Sequence, residues 1–391
     1  MTDQSPPTAP QSYIKPTAAF PSGANPVVQS APPSSAHSLT IQELLQLAVD
    51  RNSSDLHLVV ASPPTLRLDG KLTPISQAPV LTPQTTKELA FSLFSPQQKE
   101  FFLNNKEIDF SVAYGTKARF RVNVYMQRNS VSAALRLIPS RIRTLEELNM
   151  PKICYNLTQL KSGLVLVTGP TGHGKSSTLA AMIEQINQTR AEHILTVEDP
   201  IEYVYENKLS IVSQREMGQD TLSWKMALRS ALREDPDVVL VGEMRDYETI
   251  AATLTVAETG HLVFATLHTN SAAQTIDRIV DVFPEHQQGQ IRMQLANTLE
   301  AVISQRLLPA EGGGRIPVAE ILLGSSAVKT NIREGKSHLI DNIIQTSREI
   351  GMMTLEASMA EWIRKGKLSL QLAQQWSLRP EELVRLVKGT T

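Results

Sequence analysis

The sequence predicts an α/β protein with two folded parts. In its second half, continuous apolar runs, LVLVT (164–168), HILTV (193–197), VVLVG (238–242) and LVFATL (262–267), are separated by helical patterns at 175–190, 221–234 and 245–259. Such runs spaced by helices belong to a mostly parallel sheet covered on both faces. Between the first run and its helix lies GPTGHGKS (169–176), the spacing of a phosphate-binding loop. Shorter alternating runs ahead of these indicate a smaller α+β domain.

Length and composition agree with that class. A chain of 391 residues holds two or three domains at about 100–200 residues each. Its 38 basic and 39 acidic side chains leave a net charge of −1, which argues against a chain whose main task is wrapping nucleic acid. The single cysteine, Cys154, excludes an internal disulfide framework and a Cys-rich zinc module. No apolar run approaches the roughly 18 residues that span a bilayer. The start, MTDQSPPTAP, lacks a signal-peptide pattern. A soluble protein of a reducing compartment is expected.

Residues 1–37 hold eight of the 23 prolines and only two charged side chains, Asp3 and Lys15. Such a segment buries too little apolar surface to offset its ordering entropy, so a disordered tail is expected. From Ser38 the pattern changes. Thr40 suits a helix N-cap with Glu43 three residues on, and Ile41, Leu44, Leu45 and Ala48 share one face. Extended runs follow at 56–60, 65–70, 108–114, 118–126 and 131–138, interrupted by a helical stretch near 83–103. The domain boundary falls in 139–160 and is set at 145/146. After about residue 284 the pattern reads as helical to the end, with Pro284 at a helix start and the glycines 312–314 at a turn.

The loop Gly169, Pro170, Thr171, Gly172, His173, Gly174, Lys175, Ser176, Ser177 follows a strand and opens a helix. Its glycines let backbone N–H groups converge on phosphate oxygens, and the helix dipole adds positive potential. Lys175 would neutralise the β and γ phosphates of ATP, and Ser176 would hold Mg²⁺. The inserted His173 is expected to face solvent. Glu243 ends a buried strand, as the second carboxylate of a P-loop site should, at a reach that favours contact with Mg²⁺ through water. Glu198, Asp199 and Glu202 lie together where Pro200 turns the chain, and any of them could take the proton of an attacking water. His268 follows a strand and is placed to sense the γ-phosphate. His261 precedes the same strand, where packing and interface roles both remain open. In RFRVNVYM (119–126), Arg119 and Arg121 share one strand face and form a cationic stripe suited to phosphate.

Taken together these residues resemble the secretion ATPase superfamily, most closely the type IV pilus retraction ATPase (PilT) family. The matches are GPTGHGKS, VEDPIEY (197–203), SQREMGQDTLSW (213–224), ALREDPDVVLVGEMRD (231–246), AETGHLVFATLHTNSA (257–272), TIDRIVDVFP (275–284), SDLHL (54–58), RFRVN (119–123) and AVISQRLLP (301–309). The resemblance implies a RecA-like P-loop ATPase domain with a helical C-terminal region (146–391), behind a PAS-like N-terminal domain (38–145), with ATP between them. It implies a homohexamer, cytoplasmic and peripheral at the inner membrane, that works on a pilus platform protein and with an accessory retraction ATPase. By resemblance Glu202 is the general base, Glu243 the Walker B carboxylate, and Arg119, Arg121 and Arg136 approach the γ-phosphate. AVKTNIRE (327–334), a divergent form of the family's C-terminal motif, would pass ring motion to the pilus machinery, with Ile332 and Arg333 as its contact residues.

Four other readings fit less well; the accessory retraction ATPase is one, since its boxes differ from the GEMRD and LVFATLHTNSA seen here. Pilus-extension and type II secretion ATPases typically carry a four-cysteine zinc motif, which Cys154 alone cannot build. A nucleic-acid translocase on the same core is disfavoured by near-neutral charge and the lack of a basic, aromatic stripe. A non-hydrolysing ring would not need the full set Lys175, Ser176, Glu202 and Glu243.

Overall fold

The structure is a computed structural model that describes residues 39–68, 70–115, 118–138 and 141–389. The proline-rich segment 1–37, expected to be disordered, lies outside the described residues.

In the first part, Thr40 caps α1 (Ile41–Asp50). Its hydroxyl accepts from the Glu43 amide while the Glu43 carboxylate accepts from the Thr40 amide at 2.7 Å. The apolar stripe Ile41, Leu44, Leu45 and Ala48 is buried as its spacing predicts. Then follow β1 (Asp55–Leu58), β2 (Thr65–Leu68), β3 (Lys71–Pro74), α2 (Pro83–Phe91), α3 (Pro96–Asn105), β4 (Glu107–Tyr114), β5 (Ala118–Gln127) and β6 (Ser130–Ile138). The strands form an antiparallel sheet of order β3-β2-β1-β6-β5-β4. Alternation in β5 drives Phe120, Val122 and Val124 into the core and leaves Arg119, Arg121 and Asn123 on the other face. The helical stretch read near 83–103 is two helices. Ser95 caps a second start and Pro96 occupies its first turn, which ends the preceding helix. The short strand β3 was not expected.

The second part comprises α4 (Ile153–Leu157), β7 (Gly163–Thr168), α5 (Lys175–Thr189), β8 (His193–Glu198), β9 (Ile211–Glu216), α6 (Trp224–Ala231), β10 (Val238–Val241), α7 (Tyr247–Glu258), β11 (Leu262–Leu267), α8 (Ala272–Asp281), α9 (Glu285–Thr298), β12 (Leu299–Pro309) and β13 (Arg315–Leu323). Five helices close the chain: α10 (Ser326–Arg333), α11 (Ile340–Thr346), α12 (Leu355–Arg364), α13 (Leu370–Trp376) and α14 (Pro380–Lys388). The sheet order is β13-β12-β7-β11-β10-β8-β9, parallel throughout except where β13 joins β12. Neighbouring residues of each central strand enter opposite cores. Leu164, Val239 and Val263 pack on one face, and Val165, Leu240 and Phe264 on the other. Cys154 is fully buried, and its desolvated thiol is pushed up to about 12, so it is an unreactive apolar group.

One expectation is overturned here. The chain beyond residue 284 is not helical to the end, because β12 and β13 form an antiparallel hairpin around the glycines 312–314. The cause lies in β12 itself: Ser304, Gln305 and Arg306 are polar yet buried, so the strand shows neither clean alternation nor a continuous apolar run. Of these, Gln305 braces the phosphate loop.

Candidate functional site

The phosphate loop joins β7 to α5 at the carboxyl end of the parallel sheet, where open α/β sheets place their ligands. Its shape requires glycine. Gly169 adopts φ +135°, and a Cβ there would stand 2.1 Å from the Gln305 carbonyl oxygen. Gly174 caps α5 at φ +82° and would press on the Gln305 side chain at 2.9 Å. No side chain caps α5, so its first-turn amides face the loop's interior.

Inside the loop, the buried Lys175 ammonium donates to the carbonyls of Gly169 (2.8 Å) and Pro170 (3.1 Å). Burial lowers its pKa, partly opposed by the carboxylates of Glu243 and Glu202. An ammonium held against neutral carbonyls beside an uncapped helix start fits a polyphosphate. Ser176 and Ser177 line the same cleft, and Ser177 shares a hydrogen bond with the Tyr203 hydroxyl at 2.8 Å.

His268, just beyond β11, ties the loop to Glu243. Its Nδ1 lies 3.3 Å from Thr171 Oγ1 and 3.4 Å from Lys175 Nζ, and its Nε2 lies 3.0 Å from Glu243 Oε1. Glu243 also pairs with Arg245 at 2.8 Å. Burial raises the Glu243 carboxyl, but the hydrogen bond from Arg245 and the neighbouring His268 outweigh it and leave the pKa below the ordinary value.

The three acidic candidates at the end of β8 differ in their surroundings. The Glu198 carboxyl is buried and accepts from Thr196 Oγ1 (2.7 Å), Gln214 Nε2 (3.2 Å) and the Glu202 amide (3.4 Å). Desolvation pushes it up to about 7. Its oxygens are engaged and it holds the Glu202 backbone. All three carboxylates border the cleft, but Asp199 is exposed and Glu202 half-buried, whereas Glu198 is buried.

From the first part of the chain, Arg121 and Arg136, cross-strand partners on β5 and β6, line the opposite wall. The cleft holds about 500 Å³, a volume suited to a nucleotide. Arg119 does not join them. Its guanidinium reaches Glu216 at 2.8 Å, away from the cleft. Two residues along a strand are about 7 Å apart, so sharing a face does not mean sharing a partner. His173 also departs from expectation. Its Nδ1 accepts from the Leu307 amide at 3.0 Å and its ring lies against Trp376, so it fastens the loop to β12 instead of facing solvent. His261 sits in the turn after α7, bonded to the Val256 carbonyl at 3.0 Å, outside the cleft.

Three residues at this site were not anticipated. Gln305 donates to the His173 carbonyl at 2.8 Å and accepts from Thr178 at 2.7 Å, while Arg315 donates to the Gly172 carbonyl at 3.2 Å. Both belong to the hairpin that read as helix. Arg245 lies in GEMRD, and its two-residue spacing from Glu243 was the available signal.

Comparison with known proteins agrees with this geometry. A family model described as "Type II/IV secretion system protein" matches residues 34–375. The chain belongs to this family. Within it, this secretion ATPase is 47% identical over 343 residues to the type IV pilus retraction ATPase PilT of Pseudomonas aeruginosa, covering 88% of this chain and 99% of that one. It is 44% identical over 345 residues to the twitching motility protein of Neisseria gonorrhoeae, covering 88% and 92%. The crystal structure of the pilus retraction motor PilT with bound ADP superposes with a TM-score of 0.83 at 46% identity, over 89% of this chain and 100% of that one.

Proposed function

We propose that this secretion ATPase hydrolyses ATP to retract type IV pili, as a ring of six subunits at the cytoplasmic face of the inner membrane, against the pilus platform protein and alongside an accessory retraction ATPase. The carrying observation is the cleft in which the loop lysine, the carboxylates of Glu202 and Glu243, and Arg121 and Arg136 of the other sheet converge. The two sheets are read as domains, 38–145 and 146–391, that close on the nucleotide. Among the described residues no helix is long and apolar enough to cross a membrane, which accords with a peripheral motor.

In this reading Lys175 and the first-turn amides of α5 bind the β and γ phosphates. Ser176 and Glu243 would hold Mg²⁺, which when bound neutralises charge on the phosphate oxygens. Glu202 takes the proton of the attacking water, with its backbone fixed by Glu198. Arg121 supplies positive charge where it develops in the transition state, from a domain that must close to deliver it. Arg121→Ala is therefore expected to slow hydrolysis about tenfold to a hundredfold. Binding of a fluorescent ATP analogue should change much less. Wild-type turnover in that variant would place Arg121 outside the reaction.

Output needs its own test. Ile332 is 1% exposed and packs in the main core with Val328, so Ile332→Ala would cost about 2–5 kcal/mol and confound any coupling experiment. Arg333 is exposed on α10 and among the described residues bonds Thr330, while Glu334 pairs with Lys336. Arg333→Ala alone is expected to keep ATPase activity and abolish retraction in cells. Equal loss of both would remove the coupling role.

A further inference from the structure

One buried carboxylate joins the two domains beside the cleft. Glu216, the last residue of β9, is 3% exposed. Its Oε2 stands 2.8 Å from Arg119 Nη2 and 3.1 Å from the Ile201 amide. The Ser111 hydroxyl stands 2.8 and 2.7 Å from its two oxygens, and Arg119 also donates to that hydroxyl. Ser111 and Arg119 lie on β4 and β5 of the N-terminal sheet. Ile201 lies in the acidic turn of the ATPase domain, where it is buried.

Each end of this contact adjoins a residue of the reaction. Ser111 is the cross-strand partner of Arg121. Ile201 immediately precedes Glu202. A carboxylate this deeply buried is tolerated only when paired and hydrogen-bonded, and here the cation comes from one domain and the amide from the other. Asp220 accepts from the Glu216 backbone amide at 2.8 Å and so fixes the strand end from behind.

We propose that Glu216 is a positioning residue for hydrolysis, a latch that fixes the turn carrying Glu202 relative to the strand carrying Arg121. The latch rests on the preceding reading of Glu202 and Arg121 as residues that act on ATP. It explains why Arg119 points away from the cleft: it sets the distance across which Arg121 acts. Losing the latch leaves the phosphate loop intact and lets the two walls drift. A misplacement of about 1 Å is enough to slow chemistry strongly.

The test uses the full chain with Glu216→Gln, Arg119→Gln and the two together. Amide hydrogen exchange reads the latch directly. Exchange at Ile201 and Glu202 is expected to quicken in Arg119→Gln, although Arg119 lies in the other domain and reaches that turn through Glu216. Kinetics read the consequence. Each single variant is expected to lose about tenfold or more in kcat, with the KM for ATP within about threefold. The pair is expected to be no slower than the slower single, because both break the same contact. Unchanged exchange at Ile201 in Arg119→Gln overturns the latch, as do losses that multiply in the pair or a loss confined to KM. If the charge variants do not fold, Ser111→Ala decides, since it spares the ion pair and is expected to quicken exchange at Ile201 to a smaller extent. Wild-type exchange in Ser111→Ala would then overturn the latch. A wild-type chain without ATP turnover would contradict the preceding reading, and exchange at Ile201 would still decide the latch.

Discussion

Lys175→Ala is expected to abolish ATP turnover and most affinity for the triphosphate while leaving the protein folded. Among the described residues this ammonium bonds loop carbonyls and the ring of His268, and its burial already lowers its pKa. The fold therefore gains little from the charge, and thermal unfolding without nucleotide should shift little. The reaction loses its one loop cation at the site where charge builds on the β and γ phosphates. Losing a single positioned donor of that kind costs about a hundredfold to a thousandfold in rate, roughly 3–4 kcal/mol. Phosphate release and nucleotide-dependent thermal shift measure both halves. Near-normal turnover would remove the loop from the mechanism.

Glu202→Gln is expected to lower kcat by about a hundredfold or more, the usual worth of a positioned general base, with nucleotide binding retained. The control is Glu198→Gln. The Glu198 carboxyl, pushed up to about 7, is largely protonated below that pH, so an amide of the same shape resembles the form it already takes there. Its substitution should therefore cost little at pH 6 and more at pH 8, where ionised Glu198 is lost. A reversed pattern, with Glu198→Gln inactive at every pH and Glu202→Gln active, would exchange the two roles.

Much of the site could be read from the sequence because of where its residues stand. GPTGHGKS, Glu243, His268 and the acidic turn all follow buried strands, and apolar runs marked those strand ends without ambiguity. What escaped had another physical origin. Gln305 and Arg315 brace the phosphate loop from a hairpin whose buried polar residues erased its strand pattern. Alternation correctly put Arg119 and Arg121 on one face, yet it carries no information about which partner each meets. Glu216 lies within the matched SQREMGQDTLSW, yet nothing local assigned it a role, since its partners Ser111 and Arg119 are distant in the chain and meet it only when the two sheets pack. His173 looked like an exposed insert because its acceptor role depends on β12, a strand the periodicity did not reveal.

The claim that most needs direct measurement is the direction of work, because extension and retraction share the same chemistry. In a piliated host strain lacking this protein, surface pili and their shortening can be followed on living cells by fluorescent labelling. The expected result is cells that keep or accumulate surface pili but cannot shorten them, with shortening restored by the wild-type chain and not by Lys175→Ala. Cells that lose surface pili, or that shorten them at the normal rate without this protein, would contradict a retraction motor.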